Sequence, residues 1–175
     1  GRDSTARVWD AVSGTEVAKL TDPIGIGTAA ISSDGAKVMT YQHFTNPIAR
    51  IWDLRTGKQL LALKHEKPVA MATFGPDGSQ VLTVAFDGTT NEGTARIWSA
   101  ATGAEEVQLE DAAGIQYATF RPDGKQIVGA SAYSLHLWDT TTGECLKSLA
   151  EHSGSFLSVH FNLHFLRNGR RPFQN

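Results

Sequence analysis

The sequence predicts an all-β protein, built from short antiparallel strands in units that recur about every 40 residues. Three observations carry that prediction. One fifteen-residue sentence is written four times: ARVWDAVSGTEVAKL (Ala6–Leu20), ARIWDLRTGKQLLAL (Ala49–Leu63), ARIWSAATGAEEVQL (Ala95–Leu109) and LHLWDTTTGECLKSL (Leu135–Leu149). Between the copies, Asp34-Gly35, Asp77-Gly78 and Asp123-Gly124 each separate two apolar runs. Asp-Gly there signals a hairpin, because Gly accepts a positive φ and Asp bonds its own backbone. The composition agrees: 41% apolar, 19% charged and 17 Gly among 175 residues suit a turn-rich β protein and argue against disorder.

Let the four strand positions of a unit be A to D. Asp3–Leu20 supplies only C and D of a first unit, joined by a turn at Ser13-Gly14. Three complete units follow, over Ile24–Leu63, Pro68–Leu109 and Ile115–Leu149. In each, strand A ends near an apolar residue (Ile31, Phe74, Phe120) and the Asp-Gly turn comes next. Strand B follows at Lys37–Thr40, Gln80–Val84 and Gln126–Gly129. Strand C carries the tryptophan, the C–D turn carries Gly57, Gly103 or Gly143, and strand D closes on Leu63, Leu109 or Leu149. The Trp spacings of 43, 46 and 40 residues differ almost entirely in the stretch before strand C. Phe156–Phe161 begins strand A of a further unit, and residues 162–175 (NLHFLRNGRRPFQN) form an irregular tail.

The 40-residue period, four strands per unit and the Trp-Asp pair resemble the WD-repeat (WD40) family of β-propellers. The resemblance runs from Asp3 to about Phe161, and Asp3-x-Thr5-x-Arg7-x-Trp9-Asp10 fits the family's strand-C motif throughout. It implies that Trp9, Trp52, Trp98 and Trp138 pack between neighbouring blades. It makes Asp10, Asp53 and Asp139 structural, places Asp34, Asp77 and Asp123 in separate hairpin turns, and gives His152 the family's structural histidine role. The sequence also departs from the pattern. The Asp six residues before Trp becomes Asn46, Glu92 and Ala132, Trp-Asp becomes Trp98-Ser99, and only Ala150-Glu151-His152 keeps the family's length and histidine between units. The family's His–hydroxyl–Trp–Asp network therefore cannot assemble whole in the central blades, which are expected to rely on packing. Three complete blades do not close a ring, since propellers typically use about 4–8. The expectation is an incomplete arc with partial blades at each end, a piece of a larger propeller; the alternative is self-association to complete a ring.

Charge and motifs bound the function. A net charge of −2 offers no basic field for nucleic acid or an anionic membrane. No apolar run is long enough to span a bilayer and no signal-peptide pattern occurs, so a cytoplasmic setting is expected. One cysteine, Cys145, excludes an intramolecular disulfide framework and reads as a half-buried apolar residue. The six histidines, His43, His65, His136, His152, His160 and His164, show no metal-ligand spacing. His136 takes the place of Arg7, Arg50 and Arg96 and is expected to face solvent. Asp34, Asp77 and Asp123 are explained by turn chemistry, each in its own blade, without convergence on a metal or an acid/base pair. No nucleophile elbow, phosphate loop or dinucleotide fingerprint is present. Neither a catalytic residue nor a cofactor is expected.

The loops differ in kind. A–B and C–D turns share one face and are nearly the same in every copy. The B–C loops (Tyr41–Ile48, Phe86–Gly93, Ser131–Ser134) and the connections between units are all different and share the other face. Loops on a rigid scaffold are where binding usually resides. The predicted partner-binding residues are His43, Phe44, Asn46, Lys67, Asp87, Glu92, Asp111 and Tyr133. By resemblance, the expected function is a non-catalytic scaffold docking protein or peptide partners. The alternatives are a sensor part of a larger signalling protein and an enzyme with its site on the loop face.

Overall fold

A computed structural model describes residues 4–43, 45–90, 92–109, 114–131 and 134–149. Asp3, Phe44, Asp111, Ala132, Tyr133, His152, the strand expected over 156–161 and the 162–175 tail lie outside the described residues. The described chain forms one two-stranded hairpin and three four-stranded antiparallel meanders, with no closed barrel. The first sheet has two strands, β1 (Thr5–Trp9) and β2 (Glu16–Thr21). The second contains β3 (Thr28–Ile31), β4 (Lys37–Tyr41), β5 (Ile48–Asp53) and β6 (Gln59–Lys64). The third contains β7 (Val69–Phe74), β8 (Gln80–Asp87), β9 (Glu92–Ser99) and β10 (Glu105–Gln108). The fourth contains β11 (Tyr117–Phe120), β12 (Gln126–Ala130), β13 (Leu135–Asp139) and β14 (Cys145–Leu149). Strand order within each sheet is sequence order, an arrangement compatible with a propeller.

The acid after three of the four tryptophans closes the turn that follows. Asp53 Oδ1 accepts the amide and the hydroxyl of Thr56, each at 2.7 Å. Asp10 takes the amides of Val12 and Ser13 in the same way, and Asp139 those of Thr141 and Thr142. Ser99 does the same job with longer bonds, 3.3 Å to Thr102 N and 3.4 Å to Ala101 N. The turn then needs a left-handed residue, and Gly143 supplies it at φ +76°. A Cβ on Gly143 would also lie 2.5 Å from Val107 Cγ1 and 2.6 Å from Gln108 O, so the turn is pressed onto the preceding sheet.

The core lies between consecutive sheets. Trp52 shares a cluster with Leu20 and Val38 against Ala6 and Val8, joining the first two sheets. Trp98 does the same among Ala49, Ile51, Leu63 and Val81 between the second and third. Trp138 lies among Ala95, Ile97, Leu109 and Ile127 between the third and fourth. Trp9 departs from expectation: it is 55% exposed, because no described sheet covers its face.

Two indoles are fixed by hydroxyls of strand B. Trp52 Nε1 donates to Thr40 Oγ1 at 2.8 Å, and Trp98 Nε1 to Thr83 Oγ1 at 2.7 Å. The central sheets thus keep this hydrogen bond as well as their packing. In the fourth sheet Gly129 occupies the same register position, opposite His136 as Thr40 is opposite Arg50. A Cβ there would stand 2.8 Å from Trp138 Cζ3, so the ring fills the space a side chain would need.

Candidate functional site

At one end of the sheets lie the A–B turns, whose acids are consumed locally. Asp34 Oδ1 accepts Ser32 Oγ at 2.6 Å and Ala36 N at 2.9 Å. Asp77 Oδ1 accepts Ser79 N and Oγ at 2.9 and 2.8 Å, and Asp123 Oδ1 accepts Lys125 N at 3.1 Å. The Ser32 hydroxyl holds the Asp34 carboxyl below the usual range, and the Ser79 amide and hydroxyl do the same for Asp77. Asp77 and Asp123 nevertheless line one groove of about 360 Å³ with Pro76, Pro122, Gln80 and Gly124. Their Oδ1 atoms stay tied to their own turns.

The opposite end carries the variable loops, and three expected site residues meet there. Lys67, in the connection from β6 to β7, forms an ion pair with Glu92 at the start of β9. Asp87 is paired in register with Glu92 across β8 and β9. Its Oδ1 accepts Thr89 N at 2.8 Å and Thr89 Oγ1 at 2.6 Å, which rigidifies the loop. Those two bonds, with a smaller contribution from Lys67, hold its carboxyl below the usual range. Beside this cluster Pro68, Phe86, Asp87, Gly88 and Thr89 line a second groove of about 360 Å³. The walls are joined by Phe86 N donating to Pro68 O at 2.9 Å. An apolar floor with Asp87 on its rim and the Lys67–Glu92 pair beside it can take an apolar side chain flanked by a cation.

The other expected site residues fall elsewhere. His43 is half-buried on the β4–β5 loop, its ring centroid 6.0 Å from that of Tyr41, and burial lowers its pKa. Asn46 is a correction: it is buried, its Oδ1 accepts Ile48 N and its carbonyl accepts Val69 N, both at 2.9 Å. It ties the loop to the start of β7 and is not presented to a partner. His136 is a second correction. Its Nε2 lies 2.7 Å from Ser134 Oγ, its Nδ1 lies 3.8 Å from Cys145 Sγ, and its ring stacks on Trp138 with centroids 5.4 Å apart. His136 and Cys145 thus occupy positions held by the Arg7–Glu16 pair (3.0 Å) in the first sheet and Arg96–Glu105 (3.6 Å) in the third.

Sequence reasoning missed one buried register. Arg50 Nη1 donates to Asp22 Oδ2 at 2.8 Å, with both side chains nearly covered. Asp22 stands two residues after Leu20, and His65 stands two after Leu63. His65 therefore meets the next arginine, Arg96, where Asp22 meets Arg50. It packs edge-on against Trp98, centroids 5.2 Å apart, and among the described residues neither ring nitrogen has a hydrogen-bond partner. Burial, then the Arg96 charge, pushes its pKa down to about 4. The common offset from the closing leucine was the available signal. Among the described residues no group of three His, Cys, Asp or Glu side chains could hold a metal ion, and no helix is long and apolar enough to cross a membrane.

No family model and no curated protein matches this chain. Among solved structures, the crystal structure of the computationally designed Ika8 protein is similar in fold, with a TM-score of 0.74 and 26% identity. The match covers 91% of this chain and 48% of that one, so the chain spans about half the length of the designed protein. In all, 1033 solved chains match it, and a fold so widely used does not by itself assign a function.

Proposed function

We propose that this chain is a WD-repeat-type segment of a β-propeller that serves as a non-catalytic scaffold, docking protein or peptide partners on its variable-loop end. The observation that carries the reading is the contrast between the two ends. The turn end repeats one hydrogen-bonded framework, whereas the loop end differs from sheet to sheet and gathers Lys67, Asp87 and Glu92 beside the Pro68–Phe86 groove. The ligand suited to that groove is an extended peptide carrying an apolar residue next to Lys or Arg.

The test is selection of a displayed peptide library against the full chain, followed by titration of the selected peptides. Glu92→Lys should weaken them at least tenfold, while Lys58→Glu at the turn end should leave affinity unchanged. Selected peptides that bind the Glu92→Lys chain as well as the original would sink the reading. Peptides lost with the Lys58 variant instead would move the site to the turn end.

A further inference from the structure

Four Asp-Gly pairs occur in the sequence: Asp34-Gly35, Asp77-Gly78, Asp87-Gly88 and Asp123-Gly124. The dipeptide carries a reaction of its own. The amide nitrogen after the acid can attack the side-chain carboxyl carbon and close a five-membered imide. Gly, with no Cβ, leaves that approach open. Whether a fold permits the attack depends on what holds the nitrogen, and here the four pairs differ.

Three of them sit in A–B turns that tie the nitrogen down. Gly35 N donates to Ser32 O at 2.9 Å, Gly78 N to Gly75 O at 3.0 Å and Gly124 N to Arg121 O at 2.8 Å. These glycines are also set in the left-handed region, at φ +69°, +73° and +71°. Two of the turns press on the sheet before: a Cβ on Gly78 would lie 3.2 Å from Ser33 Oγ, and one on Gly124 3.7 Å from Pro76 Cγ. Attack in any of the three has first to break the bond that makes the turn. Gly88 is held by no such bond. It is exposed in the loop after β8, outside the left-handed region, and its amide nitrogen has no hydrogen-bond acceptor among the described residues. A Cβ there would meet only Phe86 Cε1, at 3.8 Å. The carboxyls do not separate the four, because each Oδ1 accepts from its own turn or loop.

We propose that Asp87 is a site of self-modification, isomerising to isoaspartate in the folded chain while Asp34, Asp77 and Asp123 are protected. Gly88 N forms a bond to Cγ of the protonated Asp87 carboxyl. One carboxyl oxygen leaves as water, with the amide proton and the carboxyl proton. Water then adds to the main-chain carbonyl carbon of Asp87, and the bond from that carbon to Gly88 N breaks. The chain now runs through Cγ, the free carboxylate stands on Cα, and the composition is unchanged. Water is the only co-reactant. The position has consequences, because Asp87 pairs with Glu92 at the loop end of the β8–β9 ladder and lies on the rim of the Pro68–Phe86 groove. An extra backbone methylene shifts that rung and moves the rim carboxylate. Loss of docking on isomerisation rests on the proposed loop-end function; the isomerisation itself does not.

The experiment is a slow incubation of the full chain, folded in buffer and, in parallel, unfolded in guanidinium chloride. Peptide mapping with electron-transfer fragmentation tells isoaspartate from aspartate at each of the four positions. In the folded chain, isoaspartate at position 87 should exceed that at each of the other three at least fivefold, and in denaturant the four should converge. Gly88→Ala, for which the loop has room, should cut accumulation at position 87 at least tenfold with the fold retained. Titration of loop-end peptides on the aged chain reads docking separately: unchanged affinity beside full isomerisation counts against the loop-end function and leaves the modification standing. A folded chain without isoaspartate at position 87, one in which another of the four leads or matches it, or an equal lead in denaturant overturns the proposal. So does a Gly88→Ala chain that isomerises like the original.

Discussion

His65 is the residue whose environment makes the sharpest demand. Folding lowers its pKa from 6.5 to about 4, so the neutral ring is the form the fold stabilises. That contribution is complete above pH 6.5 and is lost as pH falls through 6.5 towards 4, by roughly 3 kcal/mol if fully expressed. Urea midpoints at pH 7.5 and 4.5 should show the loss. His65→Asp should reduce it by giving Arg96 the acid that Arg50 has in Asp22; an unchanged pH dependence contradicts the assignment. A second prediction concerns the indole bonds. Thr40→Val or Thr83→Val strands a buried indole N–H and should cost about 1–3 kcal/mol in urea unfolding. The tryptophans and turn acids were legible from one sequence because each recurs at a fixed offset. His136 was not, because its surroundings come from Ser134 and Cys145, which occur once in the repeat and follow no pattern.

At the scale of the element, the C–D turns should respond to alanine according to what they press against. Gly14→Ala and Gly143→Ala both put a side chain at φ near +70°, +70° and +76° respectively, a backbone cost of about 1 kcal/mol. Only Gly143→Ala also drives a methyl into Val107 and Gln108. Thermal unfolding should therefore place the Gly143 variant well below the Gly14 variant, with equal shifts refuting the close approach. Strand existence was plain from apolar runs and Asp-Gly turns, and the A–B and C–D turns were assigned by their own chemistry. The loop-end cluster was legible only as a list of separate residues. That Lys67, Asp87 and Glu92 meet depends on the β6–β7 connection reaching the start of β9, and that Asn46 turns inward depends on its bonds to Ile48 and to Val69 at the start of β7; no single repeat encodes either contact.

Over the whole molecule, stability resides in joints between sheets, each a tryptophan set on an apolar triad of its neighbour. This also explains why the fold class was readable: a fourfold sentence that carries both halves of a joint implies stacking of one sheet on the next. Trp9 stands apart: it has the same sequence context as the other three, and no described sheet lies over it. The most direct measurement compares Trp52→Ala with Trp9→Ala by urea unfolding. Opening a cavity at Trp52 should cost about 3–5 kcal/mol, whereas removing the exposed Trp9 ring should cost under about 1 kcal/mol. Equal losses from the two substitutions would contradict the account of how the sheets are joined.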